Sequence, residues 1–185
     1  MLGVLCPGGV VAREDSGRPY FKDMRADFSI SHSQNAAAVA VLPAATIGIP
    51  HTASIPRVGC DIQFVNPKKD HIDISGHFFY AGEQEYIASV TGEERRLRFC
   101  RVWCLKEAWL KMRGLSVFDM AQAPCFCVGE QTTEGSEYLY ELKTAGGELY
   151  ILAMITEAED IQEPEIRWFL EEKAEVSRVW PVMYQ

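Results

Sequence analysis

The stretch RVWCLKEAWLKMRG, Arg101 to Gly114, sets Lys106, Glu107 and Lys111 among tryptophans, leucines and a cysteine. Read as a helix, it places Glu107 and Lys111 four residues apart on one face. Trp103, Cys104, Leu105, Ala108, Trp109 and Leu110 make it apolar nearly all round, so the fold should enclose it. A carboxylate on such a helix is costly unless a cation meets it. The plain partner is Lys111 or a nearby arginine. A second acid offers another. In RVGCDIQFV, Asp61 and Gln63 point to the side of a strand opposite Val58, Cys60, Ile62 and Phe64. If that side abuts the helix, two carboxylates and an amide oxygen converge. Hard oxygen donors in that number suit Mg²⁺, which takes one or two carboxylates and completes its shell with water and substrate phosphates.

The elements that must position these groups follow from pattern. DFSIS (Asp27 to Ser31) and AAAVAVL (Ala36 to Leu42) read as strands joined at SHSQN. A long Pro- and Gly-containing loop, Pro43 to Pro56, has no function assigned to it. Period two makes RVGCDIQFV a strand. Asp70 to Ser89 mixes helical and irregular signals. Thr91 followed by Glu94 reads as a capping box, so a helix is expected from Thr91 to about Arg113, stopped by Gly114. CFCV, EYLYELK and ELYILAMIT read as strands with turns at TEGSE and TAGGE, and EIRWFLEEKAEVSRVW (Glu165 to Trp180) as a closing helix. The fold class is mixed α+β, with antiparallel strands packed on a long buried helix.

Composition excludes several functions. The chain has 185 residues, 48% of them hydrophobic, enough to bury a core. It has no uncharged apolar run of membrane-spanning length, and MLGVLCPGGVVARED lacks the pattern of a secretory signal, so a cytoplasmic protein without membrane association is expected. Cys6, Cys60, Cys100, Cys104, Cys125 and Cys127 form no CxxC pair, which argues for reduced thiols and against a zinc site. His51, His71 and His77 lack the spacing of transition-metal ligands. Ser31 and His32 are adjacent on a strand and point to opposite faces, so they form no hydrolase pair. Trp103 and Trp109 read as core anchors.

A net charge of −8 argues against nucleic-acid binding. It is uneven, however. From Arg95 to Arg113 seven cations stand against Glu107 alone, the footprint of an anionic ligand or acidic partner, or else a solvated helix face.

FSISHS, VGCDIQ, HFFYAGE and WCLKEAWLK follow one another in the order and approximate spacing of the 4′-phosphopantetheinyl transferases of the surfactin-synthetase-activating type, which the chain resembles from Gly17 to Gly114. The resemblance implies that fold, related to holo-acyl-carrier-protein synthase. It implies Mg²⁺-dependent transfer of phosphopantetheine from coenzyme A to a serine of an acyl or peptidyl carrier protein, with adenosine 3′,5′-bisphosphate released. By the same resemblance Asp61 and Glu107 bind Mg²⁺, with Gln63 where many relatives have a third acid. Ser31, His32 and Arg18 meet coenzyme A, Lys111 reaches its diphosphate, and Glu83 stands where some members carry an acid proposed to help deprotonate the acceptor. Arg95, Arg96, Arg98 and Arg113 are a candidate landing surface for the carrier, which is generally acidic around its modified serine.

Two departures qualify this. Gln63 should weaken Mg²⁺ binding by the free protein, because a nearby charge is worth roughly 4 kcal/mol at ~4 Å and an effective dielectric of ~20. The members also usually carry more chain before the G-R-P element than the sixteen residues here, which implies a shortened N-terminal half (1–57) before a C-terminal half (58–185), or a homo-oligomer that completes the site. The rival reading is a carrier-binding module of the same fold with weakened or lost turnover.

Overall fold

The computed structural model describes residues 9–22, 25–44, 48, 54–69, 71–126, 136–158 and 175–178. Its elements are β1 (Val11–Arg13), β2 (Pro19–Phe21), β3 (Ala26–Ser33), β4 (Ala36–Pro43), β5 (Val58–Phe64), α1 (Ile72–Phe78), α2 (Ala81–Ala88), α3 (Gly92–Arg113), a 3₁₀ turn (Val117–Gln122), β6 (Ser136–Lys143), β7 (Leu149–Thr156) and β8 (Glu175–Arg178). A four-stranded sheet has the order β5-β7-β6-β8, and every neighbouring pair in it is antiparallel. β3 and β4 form a separate antiparallel hairpin, as do β1 and β2.

Period two decides what covers each face of the sheet. Leu139, Ile151, Ala153 and Ile155 meet Val102, Leu105, Ala108 and Met112 of α3 in one core. Ile62, Tyr138, Tyr140, Leu142 and Tyr150 form a second cluster on the other side, against which Ala36 and Ala38 of β4 pack. Asp61 is in register with Ala153, so it lies on the α3 side of β5. The helix comes close there because of Gly59. A Cβ at that position would stand 1.9 Å from the Ala108 carbonyl oxygen. Glycine is the only residue that admits this contact.

The expected helix is present and ends as its sequence dictates. Gly114 adopts φ +71°, its N–H donates to Lys111 O at 3.2 Å, and Leu115 N–H donates to Leu110 O at 2.8 Å. These two bonds are a Schellman stop, which needs the left-handed residue that glycine supplies. The expected capping box at its start does not form. Thr91 makes no side-chain cap bond, and the Glu94 carboxylate instead pairs with Arg98 at 3.2 Å and Arg101 at 3.3 Å. The strands expected from EYLYELK and ELYILAMIT and the turn at TAGGE are present.

Two expectations fail. Glu175–Arg178 is a strand paired with β6, where a closing helix was expected; the earlier part of that segment lies outside the described residues. Local sequence pattern cannot by itself exclude an edge strand there, since pairing with β6 satisfies the backbone equally well. Cys125 and Phe126 of the expected CFCV strand are not in a sheet, and the rest of it lies outside the described residues. The Phe126 amide bonds the Glu83 carboxylate at 3.0 Å, which serves it in place of a ladder.

Candidate active site

β3, β5 and the last turns of α3 meet so that two polar groups converge on one carboxylate oxygen. Ser31 Oγ lies 2.6 Å from Asp61 Oδ1, and Lys111 Nζ lies 2.6 Å from the same oxygen and 3.0 Å from Ser31 Oγ. Ser31 Oγ also accepts the Ile62 amide at 3.2 Å. Asp61 is only 6% exposed, whereas the Lys111 side chain is 30% exposed and opens toward solvent. Burial works to lower the pKa of Lys111. The Asp61 charge and hydrogen bond, with Cys60 and Glu107 adding, outweigh it and hold the ammonium above its ordinary value.

Glu107 sits one turn before Lys111 and is half-buried. Burial, and then the negative charge of Asp61, push its carboxyl up, while Lys111 pulls it down. Glu107 therefore lies within range of the Asp61 charge across the β5–α3 contact. Gln63 shares the Asp61 face of β5 and is partly buried, its Nε2 3.4 Å from Phe64 O. Among the described residues no cluster of three or more His, Cys, Asp or Glu could hold a metal. Two carboxylates and an amide, all with hard oxygens, fit Mg²⁺ that takes its remaining ligands from water and phosphate. They do not make a closed protein cage. A cavity of about 220 Å³ opens beside Lys111, lined by Arg18, Phe28, Ser29 and Gly114 among others.

The other residues singled out in the sequence fall elsewhere. Arg18 is turned inward: Nη1 and Nη2 grip Asp27 at 2.9 and 2.5 Å, Nη2 also reaches Val58 O at 3.1 Å, and Nε bonds Lys111 O at 3.1 Å. It ties the end of α3 to the start of β5. His32 is exposed on the outer side of the β3–β4 hairpin.

Glu83 is a correction. It is fully buried, ion-paired with Lys106 Nζ at 3.0 Å, and accepts the Tyr80 and Phe126 amides. A carboxylate so enclosed caps α2 and cannot meet an acceptor hydroxyl. Of the arginine strip, Arg98 is committed to Glu94, Tyr86 O and Ser89, and Arg101 to Glu94 and Glu141. Arg95 and Arg96 are half-buried, and Arg113 is exposed with its guanidinium over the Trp109 ring.

Sequence reasoning missed Asp27, the partner of Arg18, while Cys104, expected inside the fold, is a fully buried thiol on the Asp61 side of α3. Burial and then the Asp61 charge push that thiol's pKa well up. The period-two run Asp27, Ser29, Ser31, Ser33 was a usable signal. It puts four short polar side chains on one strand face, and the structure buries the first three.

Residues 57–154 match the family model described as the 4′-phosphopantetheinyl transferase superfamily. The chain is 33% identical over 105 residues to the 4′-phosphopantetheinyl transferase HetI of Nostoc sp., covering 55% of this chain and 40% of that protein. It is 33% identical over 117 residues to a putative 4′-phosphopantetheinyl transferase of Haemophilus influenzae, covering 63% and 45%. To the 4′-phosphopantetheinyl transferase AcpT of Escherichia coli K12 it is 27% identical over 107 residues, covering 57% and 49%. The chain thus spans under half the length of these curated relatives.

Proposed function

The chain belongs to the 4′-phosphopantetheinyl transferase superfamily, and on that footing we propose that it transfers 4′-phosphopantetheine from coenzyme A to a serine hydroxyl of an acyl or peptidyl carrier protein. The observation that carries this reading is the ion pair of Lys111 with Asp61 where β5 touches α3, with Glu107 one helical turn before Lys111. Phosphoryl transfer asks a protein mainly for positioning and charge stabilisation, and this cluster offers both. Asp61 and Glu107 would hold Mg²⁺, with Gln63 beside them. When bound, that ion supplies the positive charge a diphosphate needs.

The chain's own groups account for the rest. Lys111, cationic at neutral pH and facing the cavity beside it, stabilises negative charge on the leaving phosphate. Glu107 is the base, since it stands one turn before Lys111 and Glu83 is enclosed elsewhere. It takes the serine proton as the new O–P bond forms and the P–O bond to adenosine 3′,5′-bisphosphate breaks. Arg113, and Arg95 and Arg96 with it, form the carrier's landing surface. Arg98 contributes less, its guanidinium being held by Glu94, Tyr86 and Ser89.

The experiment is incubation of the protein with coenzyme A, Mg²⁺ and an apo-carrier, read by mass spectrometry of the carrier. A gain of one phosphopantetheine, lost in Asp61→Asn and Glu107→Gln, supports the enzyme. Carrier binding without that gain would make the protein a binding module instead.

A further inference from the structure

β5 pairs with β7 along one edge only, and its other edge is satisfied in an unusual way. The amides of Val58, Cys60, Ile62 and Phe64 donate to the side chains of Asp27, Ser29, Ser31 and Ser33, at 2.7, 3.0, 3.2 and 3.0 Å. A row of β3 side chains stands where a neighbouring strand's carbonyls would be. It meets the demand that every buried amide find an acceptor.

Three members of this row reach other parts of the fold or nothing further in the site, but Ser31 reaches the site itself. Its oxygen accepts Ile62 N–H and Lys111 Nζ, and its proton goes to Asp61 Oδ1. A hydroxyl has one donor and two lone pairs, so these three bonds use it completely. Ser31 is 5% exposed and has no further bond to offer a nucleotide. Because Ser31 and Lys111 both end on Oδ1, they set the rotation of the carboxylate about its Cβ–Cγ bond. Neither of them bonds Oδ2.

We propose that Ser31 is a positioning residue: locked by the Ile62 amide of the strand that carries Asp61, its hydroxyl fixes the Asp61 carboxylate so that Oδ2 is presented to a divalent cation. This rests on the metal reading above. It differs from the role in nucleotide contact that the resemblance implies for this serine. Groups that orient a ligating carboxylate govern metal affinity strongly even though they do not touch the metal.

The test is Mn²⁺ binding by electron paramagnetic resonance of the full chain, with Ser33→Ala as the control. Ser33 holds the Phe64 amide in the same row and makes no hydrogen bond to Ser31, Asp61, Glu107 or Lys111 among the described residues. Ser31→Ala should weaken Mn²⁺ binding about tenfold. Ser31→Thr, which keeps the hydroxyl, should recover most of it, and Ser33→Ala should leave it within about twofold of wild type. The KM for coenzyme A at saturating Mg²⁺ should not change in Ser31→Ala. If Ser31→Ala does not fold, Ser31→Cys, a weak donor of similar size, carries the same comparison. Wild-type affinity in the Ser31 variant, equal losses in both variants, or a raised coenzyme A KM with Mn²⁺ affinity intact would each overturn the role of Ser31. Wild-type protein that takes up no Mn²⁺ would overturn the metal reading beneath it.

Discussion

Gly59 of β5 and Ala108 of α3 are in backbone contact: a Cβ added to the glycine would lie 1.9 Å from the Ala108 carbonyl oxygen and 2.7 Å from the Met112 amide nitrogen. Those atoms belong to the helix backbone and cannot swing aside as a side chain would. The contact also sets how far Glu107 and Lys111 stand from Asp61. Gly59→Ala should therefore push α3 off the strand, costing about 1–3 kcal/mol in urea denaturation, and should weaken Mn²⁺ binding as well. A variant as stable as wild type would show that the helix does not need this approach.

Arg18 and Asp27 form a pair whose side chains are only 6% and 10% exposed, and Arg18 also bonds carbonyls of both α3 and β5. Removing one partner of a buried pair leaves the other uncompensated. Arg18→Met should cost about 3–5 kcal/mol, read by chemical denaturation without any ligand. If Arg18 served coenzyme A alone, its loss would leave that transition where it was.

Glu83 and Lys106 pose the same question more sharply, since neither is exposed at all. Glu83→Gln leaves the Lys106 ammonium buried without its counter-charge and should cost about 3–5 kcal/mol. Its turnover per folded molecule should match wild type. A loss of turnover in a fully folded Glu83→Gln variant would return this residue to the catalytic machinery.

The raised pKa of Glu107 fixes the sign of a pH dependence. Below the unfolded-state pKa the carboxyl is protonated in both states, and its environment costs nothing. As pH rises through the unfolded and then the folded pKa, the folded state must ionise a carboxyl that burial and Asp61 disfavour, so stability is lost. Glu107→Gln in the presence of EDTA should match wild type at the acid end of its stable range and exceed it at neutral pH. Denaturation across that range checks it, and parallel curves would refute the assignment.

Cysteine chemistry gives a separate readout. Burial pushes the Cys100 thiol up to about 12, and Cys60 and Cys104 are raised for the same leading reason. Thiolate is the reactive form, so these three should resist iodoacetamide at pH 8 until the protein unfolds. Peptide mapping by mass spectrometry checks them one by one, with the half-buried Cys125 as the accessible comparison.

Much of the fold was readable along the chain because it depends on local periodicity. Gly114 stops α3 through its own left-handed conformation, and alternation put Asp61 on the face opposite Cys60 and Ile62. Thr91 and Glu94 show the limit of such reading. Their spacing fits a cap, but the Glu94 carboxylate pairs with two arginines further along the helix, and Thr91 makes no side-chain cap bond. The 175–178 strand was illegible for a related reason, since only the presence of β6 beside it decides between helix and ladder.

By itself the sequence determined which residues could share a face: Glu107 with Lys111, Asp61 with Gln63, and the four polar side chains of β3. It determined these because helix and strand geometry repeat at fixed intervals. Only the tertiary structure decided which faces meet. It sent Arg18 and Glu83 into buried ion pairs and gave Ser31 to Asp61, because charge burial and hydrogen-bond saturation depend on neighbours from distant parts of the chain.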